Sequence, residues 1–322
     1  MNTHTPRCVV LSGGVGGAKF TLGISHLLPG PELTVIANVG DDFRHLGLAI
    51  SPDLDTLMYT LAGQVNPDTG WGCRDESWHC MEMLATLGGS DWFRLGDRDL
   101  ATHLLRSEAL AGGDTLTDIT ARFCQRLGIG ARILPVTDDR LATQVHTDDG
   151  VLPFQEYFVR LKAEPVVRRL EFAGADTAKP GPDVLDALAD PALDAIVIAP
   201  SNPYLSIDPI LAVPGLRTAL RSASAPVIAI TPIVAGRALK GPTAKIMAEL
   251  GLDVSATTIA GHYREIADGF ILDVSDQSLA GPITNTGIEL HTCNTVMRTT
   301  DDKIRLARET LDFAAELRRA HT

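Results

Sequence analysis

The run Ser12-Gly13-Gly14-Val15-Gly16-Gly17-Ala18-Lys19 combines glycines and a cation in a way that suits anion binding. It follows an apolar strand-type run, Cys8 to Leu11, and leads into a helix-compatible stretch, Ala18 to Leu28. Glycines at such a junction let backbone N–H groups close on an anion, and the helix N-terminus adds positive potential. Phosphate binding is therefore expected of Gly13, Gly14, Gly16, Gly17 and Lys19. The run is not a Walker A loop, because no Gly-Lys-Ser/Thr closes it. Nor is it GxGxxG, because Lys19 stands where the third glycine belongs. A tight turn without a ligand is the plainer reading of the same residues.

Carboxylates come next. Gly40-Asp41-Asp42 follows a second apolar run, Leu33 to Val39, and Ser51-Pro52-Asp53-Leu54-Asp55-Thr56 lies shortly beyond. One acid at the end of a second strand is enough to hold the ribose of a dinucleotide. Asp41, Asp42, Asp53 and Asp55 together suit a hard cation such as Mg²⁺ better. Ser51-Pro52 reads as a helix start, with a serine cap and proline at the first helical position. If 53–55 is helical, Asp53 and Asp55 point about 200° apart, and one of them caps the helix or forms an ion pair. In an extended segment they share a face. Capping with solvated charge is the alternative to a metal site.

Two further motifs carry polar chemistry. In Arg94-Leu95-Gly96-Asp97-Arg98-Asp99-Leu100-Ala101-Thr102-His103, Asp97 is a candidate N-cap, and Asp99 and His103 share a helical face. Arginines at a helix start oppose its dipole, which anion recognition would explain. Alone the motif is weak, and a capped helix with surface ion pairs is its commoner explanation. Ala199-Pro200-Ser201-Asn202-Pro203 follows a buried-strand run, and Ser201 and Asn202 suit a phosphate or a base edge. Thr231-Pro232-Ile233 and Lys240-Gly241-Pro242 repeat that arrangement after the next strand. Trp71, Trp78 and Trp92 either line a slot for a flat ring or form a small core. His79 beside Cys80 and His262 beside Tyr263 read as packing or surface residues. HExxH and GxSxG do not occur.

The elements that must position these residues form an α/β pattern. The first forty residues read strand, helix, strand, which predicts a parallel sheet. Strand runs resume at Ala195–Ala199, Pro226–Ile230 and Gly269–Asp273, with a weaker one at Thr257–Ile259. Helices are predicted near 97–111, 114–127, Leu211–Arg221, Thr243–Leu250 and Asp301–Arg319, and Gln155–Leu161 reads as β-like. The expected architecture is an open Rossmann-like, mostly parallel sheet. Residues 1–61 plus 181–322 form its nucleotide-binding core, and 62–180 are an inserted, mainly helical subdomain.

Of the 322 residues, 45% are hydrophobic and 21% charged, which excludes a disordered chain. Lys and Arg number 28 against 40 Asp and Glu, a net charge of -12. That surface repels nucleic acid and anionic membranes, so a phosphorylated ligand needs a local positive site or a metal. No apolar run reaches the ~18 residues of a membrane span. Met1 to Arg7 lacks a secretory pattern. Five cysteines without CxxC or zinc-template spacing predict reduced thiols in a cytoplasmic protein.

The glycine run, Asn38-Val39-Gly40-Asp41-Asp42, Ser51 to Thr56, Leu95 to His103 and Pro200 to Pro203, with Trp71-Gly72 and Phe154-Gln155-Glu156, occur in one order. In that ordered set the chain resembles the 2-phospho-L-lactate transferase family, CofD, of coenzyme F-420 biosynthesis. The resemblance implies a transferase of substituted phosphate groups. Its donor is GDP carrying a three-carbon acid on the terminal phosphate. Its acceptor is the ribityl hydroxyl of the deazaflavin FO, and it releases GMP and forms coenzyme F-420-0 or its dehydro or glyceryl analogue. Phospholactate, phosphoenolpyruvate and phosphoglycerate all remain open as the acid.

The resemblance further implies that Asp55 and Arg94 contact FO and that Asp42, Asp53 and Asp55 hold Mg²⁺. Asp42 and Asp55 would carry the chemistry. Gly13 to Gly17, Lys19, Ser201 and Asn202 would hold the GDP moiety, and a homodimer is the implied assembly. Asp55→Asn is expected to abolish turnover with folding intact. The competing enzyme reading is an NAD-type dehydrogenase, which Lys19 argues against. The non-enzyme reading is a nucleotide-binding regulatory module.

Overall fold

The computed structural model describes residues 5–320. Met1 to His4, part of the stretch read for a secretory pattern, lie outside the described residues. Seven strands form the central sheet: β1 (Cys8–Ser12), β2 (Leu33–Ala37), β3 (Arg132–Pro135), β4 (Ala195–Ile198), β5 (Val227–Ile230), β6 (Gly269–Asp273) and β7 (Glu289–Cys293). Their spatial order is β3-β2-β1-β4-β5-β6-β7, and every pairing is parallel. This is the 3-2-1-4-5-6 order of dinucleotide-binding folds with a seventh strand added. β1 lies in the middle, with Val10 opposite Val35 on one side and Val197 on the other. β1, β4, β5 and β6 are buried along their whole length, as continuous apolar runs in a sheet covered on both faces must be.

Helix α1 (Gly14–Ser25) follows β1 and packs against both α2 (Pro52–Leu61) and the C-terminal helix Thr300–Ala320. Its Phe20 and Ile24 are fully buried, each worth roughly 1.5–3 kcal/mol. The C-terminal helix carries Asp301 and Asp302 in its first turn and Arg318 and Arg319 in its last, the sense its dipole favours.

The stretch 62–180 holds α3 (His79–Thr86), α4 (Asp97–Ala111) and α5 (Leu116–Arg126). It also holds a three-stranded antiparallel sheet built from Ala142–Thr147, Gly150–Pro153 and Val167–Ala173. β3 lies inside the same stretch yet completes the central sheet beside β2. The expected boundaries at 62 and 180 therefore do not separate that strand from the core.

Other local expectations give way to tertiary packing. Leu211–Arg221 is two helices, Asp208–Ala212 and Leu216–Ser222. Pro214 pushes Val213 to an extended conformation, and Gly215 takes a φ of 90°. Thr257-Thr258-Ile259 lies in the helix Ala256–Tyr263, because Ser255 accepts the Thr258 N–H as a cap and Ile259 is buried against the core. Gln155–Leu161 is not β-like: Glu156–Arg160 form a π-helical turn. That turn stacks Phe154 on Phe158, ring centroids 5.4 Å apart and nearly coplanar. All five cysteines are free, and Cys80 alone among them is exposed.

Candidate active site

The glycine run is the first turn of α1 rather than a loop before it. The helix begins at Gly14, whose φ of 61° turns the chain from β1 into α1. Gly16 is required by a close approach, since a Cβ there would strike the Pro200 carbonyl oxygen. The loop after β1 thus packs directly on the loop after β4. These two loops flank the point where strand order reverses, the place where open α/β sheets bind ligands.

A cleft of about 740 Å³ opens there. Gly13 and Asp41 line it from the ends of β1 and β2, Ser201 and Asn202 from β4, Thr231 from β5 and Thr295 from β7. Val15 and Gly16 line it too, in the first turn of α1, where backbone N–H groups have no intrahelical acceptor. Lys19 and Lys240 reach the same space. The Lys19 ammonium is held below its usual pKa, first by burial and then by Lys240 and Lys303. Among the described residues Lys19 has no ion-pair partner. These lysines concentrate positive charge at one place on a chain of net charge -12. Lys240 Nζ also donates to the Thr69 carbonyl at 3.0 Å, tying the loop beyond β5 to the loop that carries Trp71.

The four aspartates take separate roles. α2 is helical from Pro52, so Asp53 and Asp55 do point apart. Asp53 faces the glycine turn: its Oδ1 accepts the Gly14 N–H at 2.7 Å and its Oδ2 accepts from Asn38 Nδ2 at 2.9 Å. Burial raises its pKa to about 6, with Asn38 and Gly14 pulling the other way. Burial and the charge of Asp53 push Asp41 well up. Asp42 is pushed well up as well, chiefly by burial. Ser51 does not cap α2; its hydroxyl donates to Asp42 Oδ2 at 2.7 Å. Asp42 Oδ1 is enclosed with no hydrogen-bond partner among the described residues. Asp41, Asp53 and Asp55 line the cleft, and Asp42 does not. Asp41 and Asp53 are buried oxygen donors on the cleft, of the type a hard divalent cation takes, whereas Asp42 with its orphaned Oδ1 is not part of that lining.

Asp55 faces the other way, toward α4. Both its oxygens are engaged by the guanidinium of Arg106, which is 1% exposed. His103 Nδ1 lies 3.7 Å from Asp55, and His103 Nε2 lies 3.3 Å from Asp99. Tyr59 places its hydroxyl 2.6 Å from Asp99. Burial works to raise the Asp99 pKa, but His103 and Tyr59 outweigh it and hold it below the usual value. Asp55, Asp99 and His103 lie close enough to ligate a metal, but the Arg106 guanidinium already holds Asp55 as its counter-ion. Sequence reasoning missed Arg106. The signal was its place three residues beyond His103, on the same face of α4 as Asp99 and His103.

Arg94 lines the cleft with its guanidinium 4.2 Å from the Trp78 ring centroid. Trp71 and Trp92 line the cleft, together with Phe93, Phe154 and Phe158. Trp78 instead packs on a satellite core of Ile50, Met81 and Leu95. Of the three tryptophans, two therefore face ligand space and one builds the wall. His262 bonds Asp208 and packs between Tyr204 and Tyr263, which makes it structural.

Ser201 and Asn202 shape the loop they sit on. Ser201 Oγ donates to the Gly13 carbonyl at 2.8 Å, and Asn202 Oδ1 accepts from Tyr204 and Leu205 N–H. Asn202 Nδ2 is buried without a partner among the described residues and belongs to a side chain lining the cleft.

The family model described as 2-phospho-L-lactate transferase CofD matches residues 8–307. The chain belongs to the CofD family. A phosphoenolpyruvate transferase of Streptomyces coelicolor is 41% identical over 320 residues, covering 98% of this chain and 100% of that one. A phosphoenolpyruvate transferase of Mycobacterium sp. (strain KMS) is 45% identical over 297 residues, covering 84% and 89%. Protein BH3568 from Bacillus halodurans, described as a member of the UPF0052 family, shares the fold at a TM-score of 0.63 and 18% identity. That likeness covers 96% of this chain and 100% of that one. As a CofD-family protein the chain is a transferase acting on small molecules in coenzyme F-420 biosynthesis. Neither a dehydrogenase nor a non-catalytic module accounts for that membership. Among the described residues no helix is long and apolar enough to cross a membrane.

The start of α4 shows how this CofD-family site is braced. Asp97 is a cap, but of α3: its carboxylate accepts from the N–H groups of His79 and Cys80 at 3.1 Å and from the Ser77 hydroxyl at 2.6 Å. Glu76 in turn accepts from the N–H groups of Arg98 and Asp99, at the start of α4. Asp97→Ala is expected to cost about 1–2 kcal/mol, the loss of a helix cap, with little change in catalysis. Urea unfolding beside a turnover assay checks both parts.

Proposed function

We propose that this chain transfers a phosphorylated three-carbon acid from a GDP-linked donor to the ribityl hydroxyl of FO, releasing GMP. The observation that carries this reading is α2 standing between two half-sites of one cleft. Asp53 accepts from the glycine turn and Asp55 pairs with Arg106 of α4, while Lys19, Lys240 and aromatic rings line the same cleft. A nucleoside diphosphate suits the first side and a flat deazaflavin the second. The names of the relatives favour phosphoenolpyruvate as the acid, which would make the product the dehydro form of coenzyme F-420-0.

In the reaction the FO hydroxyl oxygen bonds to the terminal phosphorus of the donor. The bond from that phosphorus to the bridging oxygen breaks, GMP leaves with the electron pair, and the hydroxyl proton passes to solvent. Positioning and charge neutralisation are the main demands of such a transfer. The glycine turn, Lys19 and Lys240 would hold the departing nucleotide's phosphate. Ser201 would keep the two loops together, and the orphaned amide of Asn202 would donate to a base edge or a phosphate oxygen. Asp55, fixed by Arg106, would accept from the attacking hydroxyl and orient it. Arg94, stacked on Trp78, would sit over the deazaflavin. Asp53, with Asp41 beside it on the cleft lining, would hold Mg²⁺; Asp42, which does not line the cleft, would act from behind them, and Asp55 is limited by its pairing with Arg106. Bound Mg²⁺ would supply charge neutralisation at the transferring phosphate.

The test is mass spectrometry of FO incubated with Mg²⁺, the protein and each of the lactyl, enolpyruvyl and glyceryl GDP donors. The expected result is a deazaflavin phosphodiester with GMP release from the enolpyruvyl donor, and none when a chelator replaces Mg²⁺. Absence of product with all three donors, from protein that binds GDP, would overturn the reading.

A further inference from the structure

We propose that His291, Cys293 and Glu309 form a binding site for a borderline divalent transition metal, of the class of Zn²⁺, apart from the cleft. His291 and Cys293 are two residues apart on the edge strand β7, so their side chains leave the same face of the sheet. Glu309 comes from the C-terminal helix packed across that strand. One ligand atom from each of the three lies within 4.8 Å of the other two. Imidazole, thiolate and carboxylate are a donor set that selects zinc-like ions over Mg²⁺. Three protein ligands leave a fourth position for water.

Two features separate this cluster from ordinary packing. His291 Nε2 lies 2.8 Å from Glu309 Oε2, and the His291 ring stacks on Phe313 with centroids 5.3 Å apart. That pair alone would staple the strand to the helix; it gives no reason for a thiol at the same point. Arg305, the nearby cation, is turned to other partners. Its Nη1 donates to the Asn294 carbonyl at 2.5 Å and its Nη2 to Asp302 at 3.4 Å. Solvent reaches the cluster, since His291 and Glu309 side chains are 29% and 39% exposed. Burial pushes the Cys293 thiol up to about 12, with the charge of Glu309 adding to it and that of Arg305 opposing it. The metal-free thiol is therefore protonated, and binding displaces that proton. The cysteine spacings do not show such a site, because one ligand lies on a helix sixteen residues further along.

The test uses Co²⁺ as a spectroscopic probe of a zinc-type site in the full chain. The expected result is a thiolate-to-cobalt charge-transfer band that saturates at one equivalent and is displaced by Zn²⁺ but not by Mg²⁺. Cys293→Ser abolishes the band. His291→Gln weakens cobalt binding by about tenfold or more, since even groups behind the ligands cost that much. Cys80→Ser, which removes the exposed thiol, leaves the band in place. Transferase turnover unchanged in the Cys293 and His291 variants shows that they fold. No charge-transfer band in the wild-type chain, or a band that survives Cys293→Ser, overturns the site.

Discussion

Replacing Asp55 by Asn is expected to lower kcat by about 100-fold or more, because a displaced attacking group loses at least that much. The same change is expected to cost on the order of 3 kcal/mol of stability. The second effect follows from Arg106, whose guanidinium is 1% exposed and spans both oxygens of Asp55. Asn removes the compensating charge and leaves a buried cation, which is the costly way to break such a pair. From sequence alone the variant is expected to fold normally; the structure corrects that expectation, because the partner of Asp55 lies 51 residues away on α4. Urea unfolding of Asp55→Asn, Arg106→Gln and the double variant measures the coupling. The double variant should lose less than the sum of the singles. Additive losses would show that the pair is not the source of the instability. Near-normal turnover of Asp55→Asn would remove Asp55 from the mechanism.

Legibility in the sequence followed the range of the interaction. The strands β1, β4, β5 and β6 are mostly apolar runs buried along their length, and β2 departs from that only at Thr34, so composition alone marks them. β3 and β7 carry no comparable signal, because each is an edge strand with polar, exposed positions such as Arg132 and Glu289. Gly13 to Lys19, Asp41, Asp53, Asp55, Ser201 and Asn202 were legible because they sit at strand ends, where this architecture places ligands. What each one touches was not. Ser51 bonds Asp42 instead of its own helix, Asp97 caps α3 instead of α4, and Asp55 is committed to Arg106. Each of these contacts closes across chain separations that no local pattern encodes. The helical identity of Thr257–Ile259 shows the same limit: β-branched residues favour a strand, and Ser255 with a buried Ile259 decides otherwise.

Gly16→Ala is the variant that tests whether the two loops of the cleft must touch. An added methyl would strike the Pro200 carbonyl oxygen, which is backbone and cannot rotate away. The β1 and β4 loops would then separate, or the first turn of α1 would shift. Overpacking of this kind costs roughly 1–3 kcal/mol. The functional loss should exceed the stability loss in consequence, because on the proposed reading the first-turn N–H groups and Asn202 would hold the donor together only while the loops are in contact. The KM for the GDP-linked donor is expected to rise about tenfold or more, in line with the loss that follows a small misplacement of binding groups. The KM for FO should move little, since Asp55, Arg94 and the aromatic wall lie on other elements. Gly281→Ala is the matched control: no atom lies within 4 Å of its added methyl, and it sits in the helix Ala280–Thr284. There alanine should be neutral or stabilising by up to about 1 kcal/mol. Equal rises in KM for donor and acceptor in Gly16→Ala would mean that the turn supports the whole cleft. A rise confined to the donor assigns the glycine turn to the nucleotide.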